Sequence, residues 1–303
     1  MNIYFPLRIM PDKTKIDFMR IRYFNIILSL SLLILSIFFV ATKGLNLGID
    51  FRGGTVIEAK LSHKADIEPL YNKLHELNLG EIYIQNIDSS NILIKLGNSK
   101  DSEQMKNISI LKSALTEYFK GDIEYSKIDF VGPQVGSELI NNGILAVLFS
   151  FAGIMCYIAF RFEWQYGLGI IIALIHDAGL TLGFMSITQL EFDLTSIAAV
   201  LTVIGYSVND SVVIYDRIRE NIFKYKKLLA SDLINLSINE TLSRTMLTVL
   251  TTLISTAALI FFGGDKLFSF SVTVFFGIAI GTYSSIYVSA PILIHLGIKK
   301  FLR

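Results

Sequence analysis

Long apolar stretches alternate with short polar connections along most of this 303-residue chain. A helix needs about 20 consecutive apolar residues to cross roughly 30 Å of hydrocarbon. Six stretches reach that length, and the predicted spans are residues 23–42, 142–160, 167–188, 194–215, 245–262 and 268–297. The last span contains Pro291, where we expect the helix to bend or end. The pattern therefore predicts an α-helical integral membrane protein with six transmembrane helices.

The segment between the first two spans, residues 43–138, has a different periodicity. Short β-rich runs bounded by turn residues predict strands, and apolar residues at helical spacing predict helices. The predicted strands are residues 55–61, 81–87, 91–96 and 125–131, and the predicted helices are residues 66–79 and 102–119. The order βαββαβ predicts one small α+β ferredoxin-like domain between helices 1 and 2. That fold hosts many functions and identifies none.

Lysine and arginine concentrate in three segments: the N-terminal tail, the connection after span four, and the last five residues. The short connections 189–193 and 263–267 hold only Lys266. This bias places both termini in the cytoplasm and the small domain outside it. The predicted organisation is a cytoplasmic tail (1–22), helix 1 (23–42), an extracytoplasmic domain (43–138), a bundle of helices 2–6 (139–297) and a cytoplasmic tail (298–303). The apolar run of helix 1 exceeds that of a signal peptide, so we expect it to be retained.

Composition supports this class. Hydrophobic residues make up 52% of the chain, charged residues 17%, and the mean hydropathy is +0.54. Such a chain is too apolar for a disordered protein. Its net charge of +1 does not indicate nucleic-acid binding. The single cysteine, Cys156, excludes an intrachain disulfide. Neither a GxxxxGK[ST] loop nor an HExxH motif occurs. We therefore expect no cofactor, and energy drawn from an ion gradient.

Ionisable residues inside the spans are the candidates for chemistry, because a charge in hydrocarbon is costly and usually faces a cavity or a partner. Asp210 lies in span four, with Asn209 about 100° around the helix from it. A carboxyl group there is poised between the cost of burial and the attraction of a cation, as a reversible proton site requires. The alternative is a structural, hydrogen-bonded and permanently protonated aspartate.

Two further positions could act with Asp210. Arg244 begins span five and is either its cationic partner or an interfacial arginine that only sets topology. His176 and Asp177 lie in the middle of span three. They predict either a proton relay, because histidine titrates near neutral pH, or a packing pair between helices.

Glycine and proline mark two other features. Two GxxxG pairs, Gly179/Gly183 and Gly277/Gly281, predict close helix packing, although the motif is common in membrane spans. The connections that flank the small domain are either ordinary turns or hinges that couple it to the membrane. The hinge candidates are Gly53, Gly54, Gly132, Pro133 and Gly136.

Several long motifs in one order carry a family resemblance. They are residues 48–55 (GIDFRGGT), 131–136 (VGPQVG), 176–177 (HD), 205–213 (GYSVNDSVV), 215–221 (YDRIREN), 243–245 (SRT) and 281–285 (GTYSS). With these motifs the chain resembles the smaller-subunit branch of the SecD/SecF family of protein-export membrane proteins. This family lies in the resistance–nodulation–division superfamily.

The resemblance implies a function and a set of partners. It implies six helices that pair pseudo-symmetrically with those of a SecD-like subunit in the bacterial cytoplasmic (inner) membrane. It also implies an external domain that acts on translocating secretory proteins leaving the SecYEG channel. Energy would come from the proton motive force through Asp210 and Arg244. Membrane lipid is the remaining partner, and nucleic acid is not one.

Three other interpretations remain at this point. The chain could be a proton-coupled small-solute or lipid exporter of the same superfamily, or a passive scaffold. It could also be an intramembrane aspartyl protease that uses Asp177 and Asp210, although the glycine motif typical of such enzymes is absent before Asp210. We expect a protein that is not an enzyme.

Overall fold

The computed structural model describes residues 14–62, 66–77, 79, 82–86, 90–97 and 101–297. The tail predicted for residues 298–303 lies outside the described residues, and that for residues 1–22 is described from residue 14. The chain divides into two compact units. The membrane unit lies within Met1–Leu45, Phe149–Leu190 and Ala198–Arg303. The second unit lies within Asn46–Leu148 and Glu191–Ile197, and we call it the external unit because the sequence predicts that it lies outside the cytoplasm.

The elements follow one another as a membrane helix, a small α+β region and five further membrane spans. In chain order they are α1 (Arg22–Lys43), β1 (Asn46–Leu47), α2 (Ile49–Arg52), β2 (Gly54–Lys60), α3 (Ile67–His75), β3 (Ile82–Asn86), β4 (Asn91–Leu96), α4 (Asp101–Tyr118), β5 (Glu124–Val131), α5 (Pro133–Arg161), α6 (Trp164–Thr188), β6 (Glu191–Phe192), α7 (Leu194–Lys224), α8 (Ala230–Phe262), α9 (Asp265–Ser284) and α10 (Ala290–His295). A π-helical segment, Ser285–Ser289, joins α9 to α10.

The predicted fold class is confirmed: six helical spans in the described residues are long and apolar enough to cross a membrane. Three helices extend well beyond the predicted spans. α5 starts at Pro133, α7 continues to Lys224, and α8 starts at Ala230. The apolar pattern predicts only the part of a helix that can lie in the hydrocarbon core of the membrane. Charged residues such as Lys, Arg and Glu are good helix formers, so the helices continue beyond it.

The last span contains the expected irregularity, in the form of a π-helical segment just before Pro291. Proline has no N–H and cannot continue the regular helical hydrogen bonding, and wide turns of this kind are one recognised response.

The external unit contains the predicted βαββαβ order. Its four-stranded sheet has the strand order β3-β4-β2-β5, and each neighbouring pair is antiparallel. In β2, Ile57 lies between Ile94 of β4 and Ile128 of β5. Residues of one face of β2, β3 and β4 form a core with leucines of α3 and α4, such as Leu70 and Leu111. The alternation of buried and half-buried residues along β4 explains why the sequence predicted this strand.

A second, very small sheet also belongs to the external unit. β1 pairs in parallel with β6, so that Asn46 lies opposite Glu191 and Leu47 opposite Phe192. The sequence did not predict these strands, because two residues are too few to show a period. They join the segment before the ferredoxin-like sheet to the connection between α6 and α7.

Both predicted glycine pairs lie where two helices of the membrane unit approach closely. A Cβ atom at Gly183 would lie 2.8 Å from Ser36 Cα of α1, and one at Gly179 would lie 2.7 Å from Leu33 Cδ1. On α9, a Cβ atom at Gly277 would overlap the side chain of Val203 of α7. Gly281 faces the next turn of α7. These four positions therefore let α1 approach α6 and α9 approach α7.

The contact at Gly183 can be tested with a matched pair of glycines. Gly183→Ala places a methyl group against the backbone of α1, and overpacking of this kind costs about 1–3 kcal/mol of unfolding free energy. Gly153→Ala on α5 meets no atom within 4 Å, and removing a helical glycine is stabilising by roughly 0.5–1 kcal/mol. Thermal unfolding of the purified protein in detergent measures both. Equal shifts in the two variants would contradict the close α1–α6 contact.

Candidate functional site

A row of buried polar side chains crosses the interior of the membrane unit between α6, α7 and the last span. We call this row the polar seam. Its members are Asp177, Ser207, Asp210, Ser211, Tyr215, Thr282, Ser284, Ser285 and Ser289. The four residues from Ser207 to Tyr215 lie on one face of α7, because residues three and four positions apart share a helix face.

Asp177 is the most firmly held carboxylate of the seam and has no exposed surface. Its Oδ2 accepts hydrogen bonds from Ser207 Oγ at 2.5 Å and from Ser284 Oγ at 2.6 Å. Its Oδ1 lies 2.9 Å from Nδ1 of His176. Asp177 therefore joins α6 to both α7 and α9. Within the described part of the chain, Nε2 of His176 has no hydrogen-bond partner.

Asp210 is also buried, at 2% exposure, but its surroundings differ. Among the described residues, Thr282 Oγ1 donates a hydrogen bond to Oδ2 of Asp210 at 3.5 Å. This bond lies at the long limit for a hydrogen bond, whereas those to Asp177 are short. The seam thus contains one carboxyl group fixed by several donors and one that is weakly held.

The structure does not bring Arg244 to Asp210. Arg244 lies on the exposed side of α8, and Asn209 lies on the exposed side of α7. No ion pair joins Arg244 to Asp210 among the described residues. Instead, α7 contacts α8 through Tyr206, whose hydroxyl donates to the carbonyl of Thr248 at 2.7 Å. The sequence could not predict this, because which face of α8 packs inward depends on the neighbouring helices.

The rest of the seam was not singled out as a site from the sequence. Oγ of Ser211 lies 3.1 Å from Oγ of Ser285. Tyr215 donates to the carbonyl of Ser289 at 2.9 Å and accepts from the hydroxyl of Ser289 at 2.6 Å. Serines and threonines recurring at three- or four-residue intervals in apolar spans were the signal that could have indicated these contacts.

The predicted hinge residues at the start of the sheet have constrained backbones. Gly53 has φ of +74° and Gly54 has φ of +141°, values that favour glycine. A Cβ atom at Gly54 would lie 2.5 Å from the carbonyl oxygen of Leu96. Conformation and close packing thus account for glycine at these positions. Their role as hinges stays a prediction.

The other flank is equally close-packed. Gly132 follows β5, and Pro133 is the first residue of α5. A Cβ atom at Gly136 would lie 2.7 Å from the carbonyl oxygen of Phe51 in α2. Glycine here allows the first turn of α5 to contact α2. Hinge motion at these three residues also stays a prediction.

Comparison with known families and proteins gives consistent matches. The family model "Protein export membrane protein SecD/SecF, C-terminal" matches residues 110–299, and the model "SecD/SecF GG Motif" matches residues 38–65. The protein translocase subunit SecF of Rickettsia bellii (strain OSU 85-389) is 55% identical over 302 residues, which are 99% of each chain. The corresponding subunit of Rickettsia felis is 54% identical over 302 residues, covering 99% of this chain and 98% of that one.

Two crystal structures of SecDF are similar in fold. The structure from Thermus thermophilus, described as a translocon-associated membrane protein, matches with a TM-score of 0.82 and 36% identity. SecDF in its super-membrane-facing form matches with a TM-score of 0.71 and 36% identity. Each match covers 95% of this chain but 39% of the SecDF chain. This chain therefore corresponds to a part of those longer proteins.

The contrast between the two carboxyl groups predicts different effects on stability. Asp177→Ala leaves Ser207 without its acceptor, while Ser284 can still donate to the carbonyl of Gly281 at 3.0 Å. An unsatisfied buried hydroxyl costs about 1–3 kcal/mol, so we expect a loss of unfolding free energy of that size. Asp210→Ala loses one long bond and should cost less than about 1 kcal/mol. Thermal unfolding in detergent compares them. A larger loss for Asp210→Ala would contradict the distinction.

Proposed function

The chain belongs to the SecD/SecF family of protein export membrane proteins, and from this premise we propose that it is an accessory subunit of the Sec protein translocase. It works with a SecD-like subunit in the bacterial inner membrane and couples the proton motive force to late steps of protein export. The similarity to SecF subunits over 99% of their length supports this function. The similarity to SecDF, which is a longer chain, supports a SecD-like partner.

The observation that carries the proton-coupled role is the state of Asp210. Within the described part of the chain, this buried carboxyl group accepts one long hydrogen bond. Few neighbouring groups therefore stabilise either its charged or its neutral form. Asp177 lacks that freedom, because three polar groups surround it. Moving one charge through 100 mV supplies about 2.3 kcal/mol. That energy is enough to shift the balance between two arrangements of packed helices.

The partner binds, in this proposal, at the exposed side of α7 and α8. Thr202, Gly205 and Asn209 recur at helical spacing along α7 and are exposed, as are Arg244 and Thr251 on α8. Small and polar residues at a membrane-helix surface favour close contact with another helix. The SecD-like subunit then supplies the groups that face Asn209 and Arg244. Membrane lipid covers apolar surfaces elsewhere.

The orientation completes the proposal. Both termini lie in the cytoplasm, because lysine and arginine concentrate on that side. The external domain then lies on the opposite side, where it acts on translocating secretory proteins that leave the SecYEG channel. Protonation of Asp210 shifts α7 and tilts this domain, which pulls on the substrate or prevents it from sliding back. The proton gradient supplies the energy, and no cofactor takes part.

The geometry gives no support to a protease. No hydrogen bond joins the carboxyl groups of Asp177 and Asp210 within the described part of the chain, whereas a protease dyad shares a proton between two aspartates. We propose that the subunit acts without enzymatic chemistry of its own. Small-solute or lipid export is the competing function, and transport by the purified chain in vesicles would favour it.

The proposed role of Asp210 is tested by protein export into inner-membrane vesicles. We expect Asp210→Asn to abolish the part of export that depends on the proton gradient, measured with and without a protonophore, because the amide cannot exchange a proton. Asp232→Asn is the matched control, since Asp232 is an exposed acid in the first turn of α8. Full gradient dependence in the Asp210→Asn variant would overturn the proposal.

The role of Arg244 is tested by separating stability from export. Arg244→Gln should change the unfolding free energy of the purified chain by less than about 0.5 kcal/mol, as is usual for an exposed substitution away from packing contacts. Gradient-dependent export should nevertheless fall, because Arg244 acts against the SecD-like partner. Copurification with that partner is measured in parallel. Unchanged export, or a destabilised isolated chain, would contradict this assignment.

A further inference from the structure

The first turn of α7, the helix that carries Asp210, is held by two carboxylates. Asp193 precedes the helix, and its Oδ1 accepts from the backbone N–H of Ser196 at 2.8 Å. Asp50 lies in α2 and its Oδ2 accepts from the backbone N–H of Leu194 at 3.1 Å. A carboxylate at a helix N-terminus satisfies free N–H groups and complements the helix dipole. Asp193 is local to α7, whereas Asp50 comes from a segment 144 residues earlier.

The segment before α7 is attached to the same region at other points. Besides the β1–β6 pairing, Gly48 N donates to the carbonyl of Phe192 at 2.8 Å. The ring of Phe51 lies 5.7 Å from the ring of Phe192. These contacts join residues 191–194 to β1 and α2 through backbone hydrogen bonds, an aromatic contact and a cap.

A further contact reaches the ferredoxin-like sheet itself. Lys95 of β4 forms an ion pair with Glu191 of β6, and both side chains are partly buried. A partly buried pair is screened less by salt than a fully exposed one. The connection between α6 and α7 is therefore attached to the middle of the external domain as well as to its first residues.

The α2 turn also contacts α5. Gly136 lies against the backbone of Phe51 so closely that a Cβ atom would collide with it. Asp50 and Phe51 of α2 thus contact the first turn of α5, and Asp50 also contacts the first turn of α7. α2 lies directly before Gly53 and β2, so any displacement of either helix start is passed to the sheet by contact.

We propose that Asp50 is a positioning residue that transmits displacement of α7 to the external domain, with the Glu191–Lys95 pair as a second link. This inference rests on the proposed function. Asp210 lies 16 positions after Leu194 on one continuous helix, or about 24 Å at 1.5 Å per residue. A shift of α7 caused at Asp210 therefore moves its first turn, and Asp50 moves with it. The glycine flanks then follow this motion instead of generating it.

The main experiment compares two caps on the same helix end. Asp50→Ala removes the link to α2, Asp193→Ala removes the local cap, and Asp50→Asn keeps an oxygen that can accept the same bond. In gradient-dependent export we expect Asp50→Ala to lose at least about 5-fold, the lower range of coupling between sites. Asp50→Asn should retain most of the stimulation. Asp193→Ala should keep it, even where its thermal midpoint falls as far as that of Asp50→Ala. Equal losses for both caps would overturn the proposal.

The export that remains without a proton gradient separates coupling from a structural role. Because Asp210→Asn already removes gradient-dependent export, adding Asp50→Ala to it should cause no further loss of the remaining, gradient-independent export. An independent structural role would lower that remaining export and reject the inference. The two proposals fail separately. If Asp210→Asn still exports more protein when the gradient is present, the proposed function is overturned. If this stimulation is lost in Asp210→Asn but kept in Asp50→Ala, only the link is overturned.

A spectroscopic measurement tests the link directly. Spin labels are placed at Ser109→Cys of α4 and Leu194→Cys of α7, both exposed, in a chain carrying Cys156→Ser. With the link intact we expect a single narrow distance at neutral and acidic pH. Asp50→Ala should broaden it or make it depend on pH. A distance that stays narrow and unchanged in Asp50→Ala would contradict the proposal.

The ion pair has its own rescue test. Lys95→Glu and Glu191→Lys should each lower gradient-dependent export, and the double variant should restore it because the pair reforms with reversed charges. Failure of the double variant to recover would remove this pair from the link.

Discussion

The hydrogen bonds to Asp177 are the interaction on which the membrane unit depends. Within a bilayer no water satisfies polar groups, so a buried carboxyl group must find its donors in neighbouring helices. Ser207 and Ser284 supply them and thereby fix α7 and the last span against α6. This arrangement also sets the place of Asp210, which lies one turn beyond Ser207 on the same helix. Asp177 thus holds the three helices together, whereas Asp210 has few hydrogen-bond partners. The two aspartates differ in role because their surroundings differ.

The sequence was informative wherever a physical period or length was involved. Hydrocarbon thickness fixed the six spans, and alternation along β4 together with helical spacing in α3 and α4 predicted the ferredoxin-like order. The buried position of Asp210 followed from the cost of a charge in lipid. The exposed position of Arg244 could not be predicted from the sequence, because the neighbouring helices decide which face of a helix is buried. β1 and β6 were missed since pairs of two residues carry no pattern.

Asn209 and Arg244 are exposed in the isolated chain, which is consistent with the proposal that a SecD-like subunit covers them. Polar groups on the outer surface of a membrane helix are costly against lipid and are satisfied by a partner protein. Family membership rests on sequence similarity along almost the whole chain, and the matched SecDF chains are longer. The geometry adds what similarity alone does not give: which acid is firmly held, which is weakly held, and which residues of α7 and α8 are exposed in this chain.

The π-helical segment Ser285–Ser289 has a consequence for how the last span can vary. A π-turn contains more residues than an α-turn, so side chains beyond it point in directions that an uninterrupted helix would not give them. Thr282 and Ser284 contact Asp210 and Asp177 before the segment, while Ser289 contacts Tyr215 at its end. The π-helical segment therefore sets the rotation of the residues after it relative to the residues before it, and the contacts on both sides depend on this rotation. Insertion or deletion of a single residue within the segment would rotate the part of the span that follows it out of register with Tyr215, while Asp177 and Asp210 keep their contacts. The number of residues here is therefore constrained as well as their identity.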